Sequence, residues 1–121
     1  MKIYGTLLIL TAAVTLLISC SHKVDVPLTP EVSFSKDVLP VFIGNCDQPG
    51  CHSGNKRKPL DSYSYIMSYG QVSPYNAIGS KIYKVMSARG IFTSRMPPSG
   101  VMNESDLQAV YLWIQQGAKN N

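Results

Sequence analysis

Cys46-Asp47-Gln48-Pro49-Gly50-Cys51-His52 is the stretch on which the interpretation of this chain depends, because it places two thiols and an imidazole within seven residues. A cysteine followed directly by a histidine, with a second cysteine shortly upstream, is typical of covalent haem attachment. In that interpretation the cysteines form thioether bonds and His52 binds the iron. The usual spacing leaves two residues between the cysteines, whereas four stand here, so the rest of the chain has to support the interpretation.

The N-terminus has the pattern of an export signal. Lys2 is followed by an apolar run that ends at Ser19-Cys20, and a charged start, an apolar stretch and a small residue before the cut are typical of signal peptides. Leu17-Ile18-Ser19-Cys20 also resembles a bacterial lipobox. We therefore expect residues 1–19 to be removed as a lipoprotein signal peptide and Cys20 to be lipidated. The alternative is an uncleaved membrane anchor, since about 20 apolar residues can span a bilayer.

Either version holds the remaining chain at a membrane, outside the cytoplasm. Removal of residues 1–19 leaves 102 residues, enough for one small domain. The basic residues are scattered apart from Lys56-Arg57-Lys58, which does not favour a nucleic-acid partner. An acidic residue directly after the lipidated cysteine would resemble an inner-membrane retention signal, but Ser21 stands at that position. This favours the outer membrane, on its periplasmic or cell-surface side.

Three chemistries compete for the cysteine-histidine stretch. In an oxidising compartment Cys46 and Cys51 would pair in an ordinary disulfide, but this leaves His52 without a role. Zinc would have three ligands and lack a fourth, since His22 lies beside the lipid anchor and no second cysteine pair exists. Covalent haem uses all three residues, and an apolar cofactor would also supplement a mature chain that is only about 40% apolar.

The rest of the chain predicts short helices and long loops. Residues 21–34 contain two prolines and no helical period, so they indicate an extended tether. The first helix is expected to begin at Ser35 as its N-cap, and Val38/Phe42 and Leu39/Ile43 form i,i+4 pairs that make it amphipathic. Three more helices follow: one after Asp61 ending at Gly70, one over Ser80–Arg89 ending at Gly90, and a last one with Asn103 and Asp106 as a capping-box-like pair and Gly117 as its C-cap.

A second axial ligand to iron would have to come from outside the cysteine-histidine stretch. Met67 and Met86 lie on helical faces, where packing explains them. Met96 stands before Pro97-Pro98, which hold the segment extended and can present its side chain from a stiff loop. It is our first choice, and Met102, without that proline brace, is the second.

Taken together, the chain from about Phe34 to Ala118 resembles a class I monohaem cytochrome c domain. It is similar to a lipid-anchored bacterial subset in which the haem motif is widened to Cys-x4-Cys-His. The matching pieces occur in family order: Ser35-Lys36-Asp37-Val38-Leu39-Pro40-Val41-Phe42, the cysteine-histidine stretch, Ser80-Lys81-Ile82-Tyr83, Arg95-Met96-Pro97-Pro98, and Leu112-Trp113-Ile114-Gln115-Gln116-Gly117-Ala118. In the widened motif, Pro49-Gly50 is a turn dipeptide that would loop out the two extra residues.

This resemblance implies an all-α, small cytochrome c-like fold of about four short helices and long loops over residues 35–121, with residues 20–34 as the lipidated tether. One haem c would be attached through Cys46 and Cys51, with His52 as proximal ligand and Met96 as distal ligand. It further implies that the first and last helices cross beside the haem. Phe42 and either Tyr111 or Trp113 would then contact it.

The function implied is electron transfer, not enzymatic catalysis. The chain would carry single electrons between redox partner proteins while its lipid anchor holds it at the membrane. Two other classes stay open: a haem enzyme or a gas or peroxide sensor with a labile distal ligand, and a haem-free lipoprotein closed by a Cys46–Cys51 disulfide.

Overall fold

The computed structural model describes residues 30–54, 57–87, 94–98, 100 and 102–121. A π-helical turn over Phe34–Val38 continues directly into α1, and three further helices follow: α1 is Leu39–Asn45, α2 is Tyr63–Tyr69, α3 is Lys81–Met86 and α4 is Glu104–Gln115. Within the described ranges the chain has no strand, and pairs backbone in sheet fashion only at an isolated bridge. The expectation of an all-α chain is confirmed.

The signal peptide, the lipidation site Cys20 and the tether up to residue 29 lie outside the described residues. In the part of the chain that the structure describes, no helix is long and apolar enough to cross a membrane.

The π-helical turn and α1, which together we call the first helical segment, have their N-cap two residues earlier than predicted. This cap is Ser33, whose Oγ accepts a hydrogen bond from Lys36 N at 3.3 Å, while the Asp37 carboxylate accepts from Ser33 N at 2.8 Å. Ser35, the predicted cap, instead donates its backbone N–H to Asn121 O at 2.9 Å. Burial of Phe34 accounts for the early start, because the helix has to include Phe34 to place its ring in the core.

The core forms where the first helical segment packs against α4. Trp113 is buried, and its ring centroid lies 5.4 Å from that of Phe34 and 6.3 Å from that of Tyr63. Trp113 Nε1 donates to Lys119 O at 2.8 Å, and Tyr63 Oη donates to Ala118 O at the same distance. We call these rings, together with residues 118–121, the aromatic end of the molecule.

Residues immediately before the π-helical turn also belong to this aromatic end. Val32 N donates to Gln116 Oε1 at 2.7 Å, and Phe34 N donates to Asn121 Oδ1 at 2.8 Å. The folded domain therefore includes at least Val32 to Phe34, which the sequence assigned to the tether. A tether pattern was expected because the two prolines, Pro27 and Pro30, precede this segment.

The predicted helices α2, α3 and α4 are present. Ser62 rather than Asp61 precedes α2, and Gly70 ends it as expected. Ser80 precedes α3, which ends at Met86 with Ser87 as its C-cap, three residues before the predicted end at Arg89; the predicted stop at Gly90 lies outside the described residues. A side chain on Gly70 would collide with Ile66 O and with Ile82, so glycine allows the end of α2 to approach the start of α3.

The loop before α3 is fastened to α4. Tyr75 N donates to Ile114 O at 2.7 Å, and Ala77 N donates to Gln115 Oε1 at 2.9 Å. Ser80 is fully buried, and its Oγ donates to Asn76 O and accepts from Ser73 N, both at 2.9 Å. These bonds fix where α3 begins, and α3 supplies one wall of the site described next.

Candidate functional site

One cavity of about 360 Å³ brings together the cysteine-histidine stretch, the end of α2, α3 and the Met96 loop. Its volume falls in the range of about 300–1,000 Å³ that small-molecule sites occupy. Most of the lining is apolar, and the residues that supply it are Leu60, Ile82, Val85, Met86, Met96, Pro97 and Pro98. Such a lining suits an apolar ligand with a few polar attachment points.

The widened cysteine-histidine stretch folds as a compact turn. Cys51 N donates to Gln48 O at 2.9 Å across Pro49-Gly50, and Gly50 has a φ of +83°. Proline followed by a residue of positive φ is the composition of a type II turn, and glycine adopts that conformation without strain. His52 N then donates to Cys46 O at 3.1 Å and closes the loop. The turn expected at Pro49-Gly50 is confirmed.

Both cysteines of this loop line the cavity as free thiols. The structure therefore has no disulfide between Cys46 and Cys51. Cys46 is buried at the end of α1, and this burial, reinforced by electrostatic repulsion from its neighbours Cys51 and Asp47, raises the pKa of its thiol to about 11. Cys46 is accordingly a neutral thiol at physiological pH.

His52 lines the same cavity, and its ring is oriented by the backbone. Its Nδ1 lies 2.9 Å from Lys58 O. A carbonyl oxygen only accepts hydrogen bonds, so the nitrogen in this bond must be Nδ1–H, which leaves Nε2 as the unprotonated nitrogen of the neutral ring. Metal-bound histidines commonly donate their second nitrogen to a carbonyl in this way, which fixes the tautomer and the ring plane. His52 thus presents a lone pair suited to a metal.

Met96 reaches the cavity from a part of the chain far from His52. Its backbone N–H donates to Val85 O at 3.0 Å, which fastens the proline-containing loop to α3, and its half-buried side chain lines the cavity. Met102, the second choice, is buried in the core and is not among the lining residues. The structure therefore brings the first-choice methionine, and not the second, to the cysteine-histidine stretch.

Met86 is a further cavity residue that the sequence assigned to packing alone. It is 3% exposed, belongs to the core and also lines the cavity from α3. Its helical spacing marked it as buried, but nothing in that spacing distinguishes a core neighbour from a cavity wall. Met67, by contrast, packs on the core away from the cavity.

Phe42 and Trp113 do not reach the cavity. Both are buried, but neither is among the lining residues, and Trp113 packs at the aromatic end with Phe34 and Tyr63. Tyr111 pairs with Tyr83 at 5.4 Å between ring centroids and lines a separate groove. In this structure the rings of Phe42 and Trp113 contribute to core packing, and their contact with a haem stays a prediction. Leu60 and Ile82 are among the apolar side chains that line the cavity instead.

Cationic groups stand around the cavity. Arg57 and Lys81 are exposed and also line it, and Tyr69 lines it from the end of α2. Of the described residues that line the cavity, none is an aspartate or a glutamate. Among the described residues, no cluster of three or more His, Cys, Asp or Glu side chains is arranged to hold a metal ion. Cys46, Cys51 and His52 share the cavity without converging as a tetrahedral zinc set.

No protein-family model, curated protein or solved structure matches this chain. The functional assignment therefore depends on the residues of the cavity and their geometry.

Proposed function

We propose that this chain is a membrane-tethered monohaem c-type cytochrome that carries single electrons between redox partner proteins. In this proposal Cys46 and Cys51 hold one haem c, and His52 and Met96 bind its iron. The observation that carries the proposal is that all four residues line one apolar cavity, although Met96 stands 44 positions after His52 in the sequence. The cytochrome c-like fold, finer than the all-α architecture described above, is part of the same proposal.

The residues of the cavity fit a covalently bound haem. Two free thiols are available for thioether formation, an imidazole offers its Nε2 lone pair, and a methionine offers a thioether. Leu60, Ile82 and the other apolar lining residues suit a porphyrin face. The exposed cations Arg57 and Lys81 suit the two carboxylates that every haem carries.

Each of these groups has a task in electron transfer. When bound, haem supplies one-electron chemistry at its iron, and a His/Met ligand pair raises the reduction potential. The hydrogen bond from Nδ1–H to Lys58 O holds the His52 ring in one tautomer. The apolar lining keeps water from the metal, and the bond from Met96 N to Val85 O keeps the distal loop on α3. In this proposal the chain transfers electrons without binding a substrate at the metal. We therefore propose an electron carrier and not an enzyme.

The location is part of the same proposal. Lipidation at Cys20 would attach the domain to a bacterial membrane on its periplasmic or cell-surface side, with the outer membrane favoured by Ser21. Residues 20–29 would be the tether, since Pro30 O already accepts from Gln116 Nε2 at 3.1 Å and Glu31 pairs with Lys119 at 2.8 Å.

The alternatives lack a comparable observation. A gas or peroxide sensor requires an open iron position, and the presence of Met96 in the same cavity lining as His52 supports a filled one. A haem-free lipoprotein closed by a Cys46–Cys51 disulfide would leave the cavity and the oriented His52 ring unexplained.

A pyridine haemochrome spectrum tests the proposal most directly. The protein is produced together with a cytochrome c maturation system, denatured and washed with solvent before the spectrum is taken. Wild type is expected to retain haem with the band position of two saturated vinyl groups. Cys46→Ala and Cys51→Ala should each shift that band, and the double variant should lose the haem. Ser53→Ala is the matched control, because Ser53 follows His52 and is not among the lining residues.

Loss of haem from the wild-type protein on washing would overturn the proposal. Carbon monoxide separates the carrier from the sensor: the reduced wild type should not bind it at neutral pH, whereas Met96→Ala should. Binding to the reduced wild type would replace the electron carrier with a protein that has an open iron position.

A further inference from the structure

An exposed pair of tyrosines lies next to the cavity. Tyr65 and Tyr69, one turn apart on α2, are 40% and 41% exposed. Their rings stack with centroids 5.5 Å apart and an interplanar angle of 21°. Lys58 Nζ lies 5.4 Å from the centre of the Tyr69 ring, within reach of a cation–π interaction. Stacking of two large rings in solvent leaves a flat, rigid surface on α2.

Tyr69 connects this surface to the cavity, because the same side chain is both exposed and part of the cavity lining. A molecule seated on the Tyr65–Tyr69 pair would therefore contact the rim of the haem site proposed above. Tyrosine and arginine are enriched in protein interfaces and dominate their binding energy, since rigid rings contribute a large contact area at a small entropy cost.

The charged residues of the described cavity lining, on which Tyr69 borders, are all basic. Arg57, Lys58 and Lys81 are exposed there, and Arg57 and Lys81 also line the cavity. The acidic residues that the structure describes are absent from the cavity lining; they are Glu31, Asp37, Asp47, Asp61, Glu104 and Asp106. A rim of one charge attracts a partner of the opposite charge and speeds its association.

We propose that the surface formed by Tyr65, Tyr69, Arg57, Lys58 and Lys81 is the docking site for an acidic redox partner protein. This inference rests on the proposed function, because it names the partner of the same cavity. Anionic lipid would also satisfy the cations. A protein partner is favoured because an electron entering or leaving through this cavity requires the adjacent surface to face the donor or acceptor rather than the bilayer.

The test uses the lipidated, haem-loaded protein in phosphatidylcholine vesicles. The probe is an oxidised flavodoxin, a small flavoprotein selected for an acidic surface. The fraction of flavodoxin that sediments with the vesicles is read from flavin absorbance at low ionic strength. We compare Lys58→Glu, Lys81→Glu and Tyr65→Ala with Lys36→Glu, a matched charge reversal at an exposed position in the first helical segment.

Steering by complementary charge predicts that Lys58→Glu and Lys81→Glu each raise the dissociation constant by at least ~5-fold. Tyr65→Ala should raise it by a similar factor, since it removes half of the stacked surface, while Lys36→Glu should change it by less than ~2-fold. The rate at which reduced flavodoxin reduces the haem should follow the same order, and added salt should weaken wild-type binding.

Equal weakening by Lys36→Glu and Lys58→Glu would overturn the proposal, because net charge alone would then explain the binding. Absence of wild-type binding would also overturn it. Lipid is tested separately by acetylating lysines and measuring the products by mass spectrometry. Protection of Lys58 and Lys81 in phosphatidylglycerol vesicles, but not in phosphatidylcholine, would assign the surface to lipid instead.

The two proposals fail in different ways. A wild-type chain without covalent haem overturns the electron carrier and, with it, this docking site. A wild-type chain with covalent haem and no preference between Lys58 and Lys36 overturns the docking site alone.

Discussion

At the aromatic end, rings fill the space between the first helical segment and α4, and backbone groups pair across it. Around the cavity, by contrast, two thiols, an imidazole and two methionines line an open volume of about 360 Å³. Trp113 illustrates the first region, with its ring against Phe34 and its Nε1 bonded to Lys119 O. His52 illustrates the second, since one nitrogen is anchored to Lys58 O and the other is left for a ligand. The cluster of packed rings and the candidate site thus occupy different parts of one small domain, although Cys46 and Met86 belong to both the core and the cavity lining.

The largest expected effect comes from the aromatic end. Trp113→Ala should lower the free energy of unfolding by about 3–5 kcal/mol, because it removes a fully buried ring from a packed core. Small domains have about that much stability in total, so we expect the variant to be largely unfolded at room temperature even without urea. A urea titration followed by circular dichroism measures this. Tyr65→Ala, at an exposed ring, should cost less than ~1 kcal/mol. Equal losses from the two variants would contradict the division into two regions.

Two methionines allow a sharper comparison of core and cavity, because Met102 lies in the core and Met96 lines the cavity. Met102 is 5% exposed in the core, so Met102→Ala should lower the free energy of unfolding by about 2–5 kcal/mol. Met96 is half-buried and lines the cavity, so Met96→Ala should cost the haem-free chain less than ~1 kcal/mol.

The haem-loaded proteins should show the opposite order. Met96→Ala is expected to abolish the thioether-to-iron charge-transfer absorption, and Met102→Ala is expected to retain it. Loss of that absorption in Met102→Ala alone would transfer the distal ligand to Met102.

Titration of Cys46 is expected to have the next largest effect. Its pKa is raised from 9.0 to about 11 in the folded chain, so the folded state holds this proton more tightly than the unfolded state. The stabilisation is fully present below pH 9 and is lost as the pH rises towards 11, by roughly 2–3 kcal/mol. Denaturant unfolding of the haem-free chain between pH 8 and 11 should show this loss. Cys46→Ala should remove the dependence, and an unchanged slope in that variant would assign it to another group.

The smallest effect is expected where the two regions join. Asn45 Nδ2 donates to Val41 O at 2.9 Å and to Asp106 Oδ2 at 3.3 Å, which links α1 to the start of α4. Asn45→Ala and Asp106→Ala should each lower the free energy of unfolding by about 1 kcal/mol. The double variant should cost less than the sum of the two, because both remove the same bond. Additive losses would show that the bond contributes nothing.

The helices were largely predictable because their ends carry local signals. Asn103 caps α4 as expected, accepting from Ser105 N at 2.9 Å, and Gly117 follows the helix with a φ of +102°. The predicted partner of that cap was wrong: Asp106 accepts from Asn45 instead of reaching back to Asn103. Spacing identified Asp106 as a candidate for the cap, but only the position of α1 determines which donor lies within reach.

The start of the first helix was missed for a similar reason. Ser33 and Ser35 are equally suitable caps in the sequence. Ser33 is the N-cap because Phe34 packs on Trp113, and because Asn121 accepts hydrogen bonds from the backbone N–H groups of Phe34 and Ser35. Contacts between positions 79 to 87 residues apart leave no signal in the local sequence.

By itself, the sequence determined the all-α class, three of the helices, the turn at Pro49-Gly50 and the residues whose chemistry suits haem. These features depend on neighbouring residues: helical spacing, caps and the fixed or permissive φ of proline and glycine. The tertiary structure alone decided that Met96 rather than Met102 lines the cavity with His52, that Met86 joins it, and that Phe42 and Trp113 do not. These placements depend on which distant segments pack together. The sequence does not reveal them, because burial stabilises an apolar side chain equally in a core and on a cavity wall.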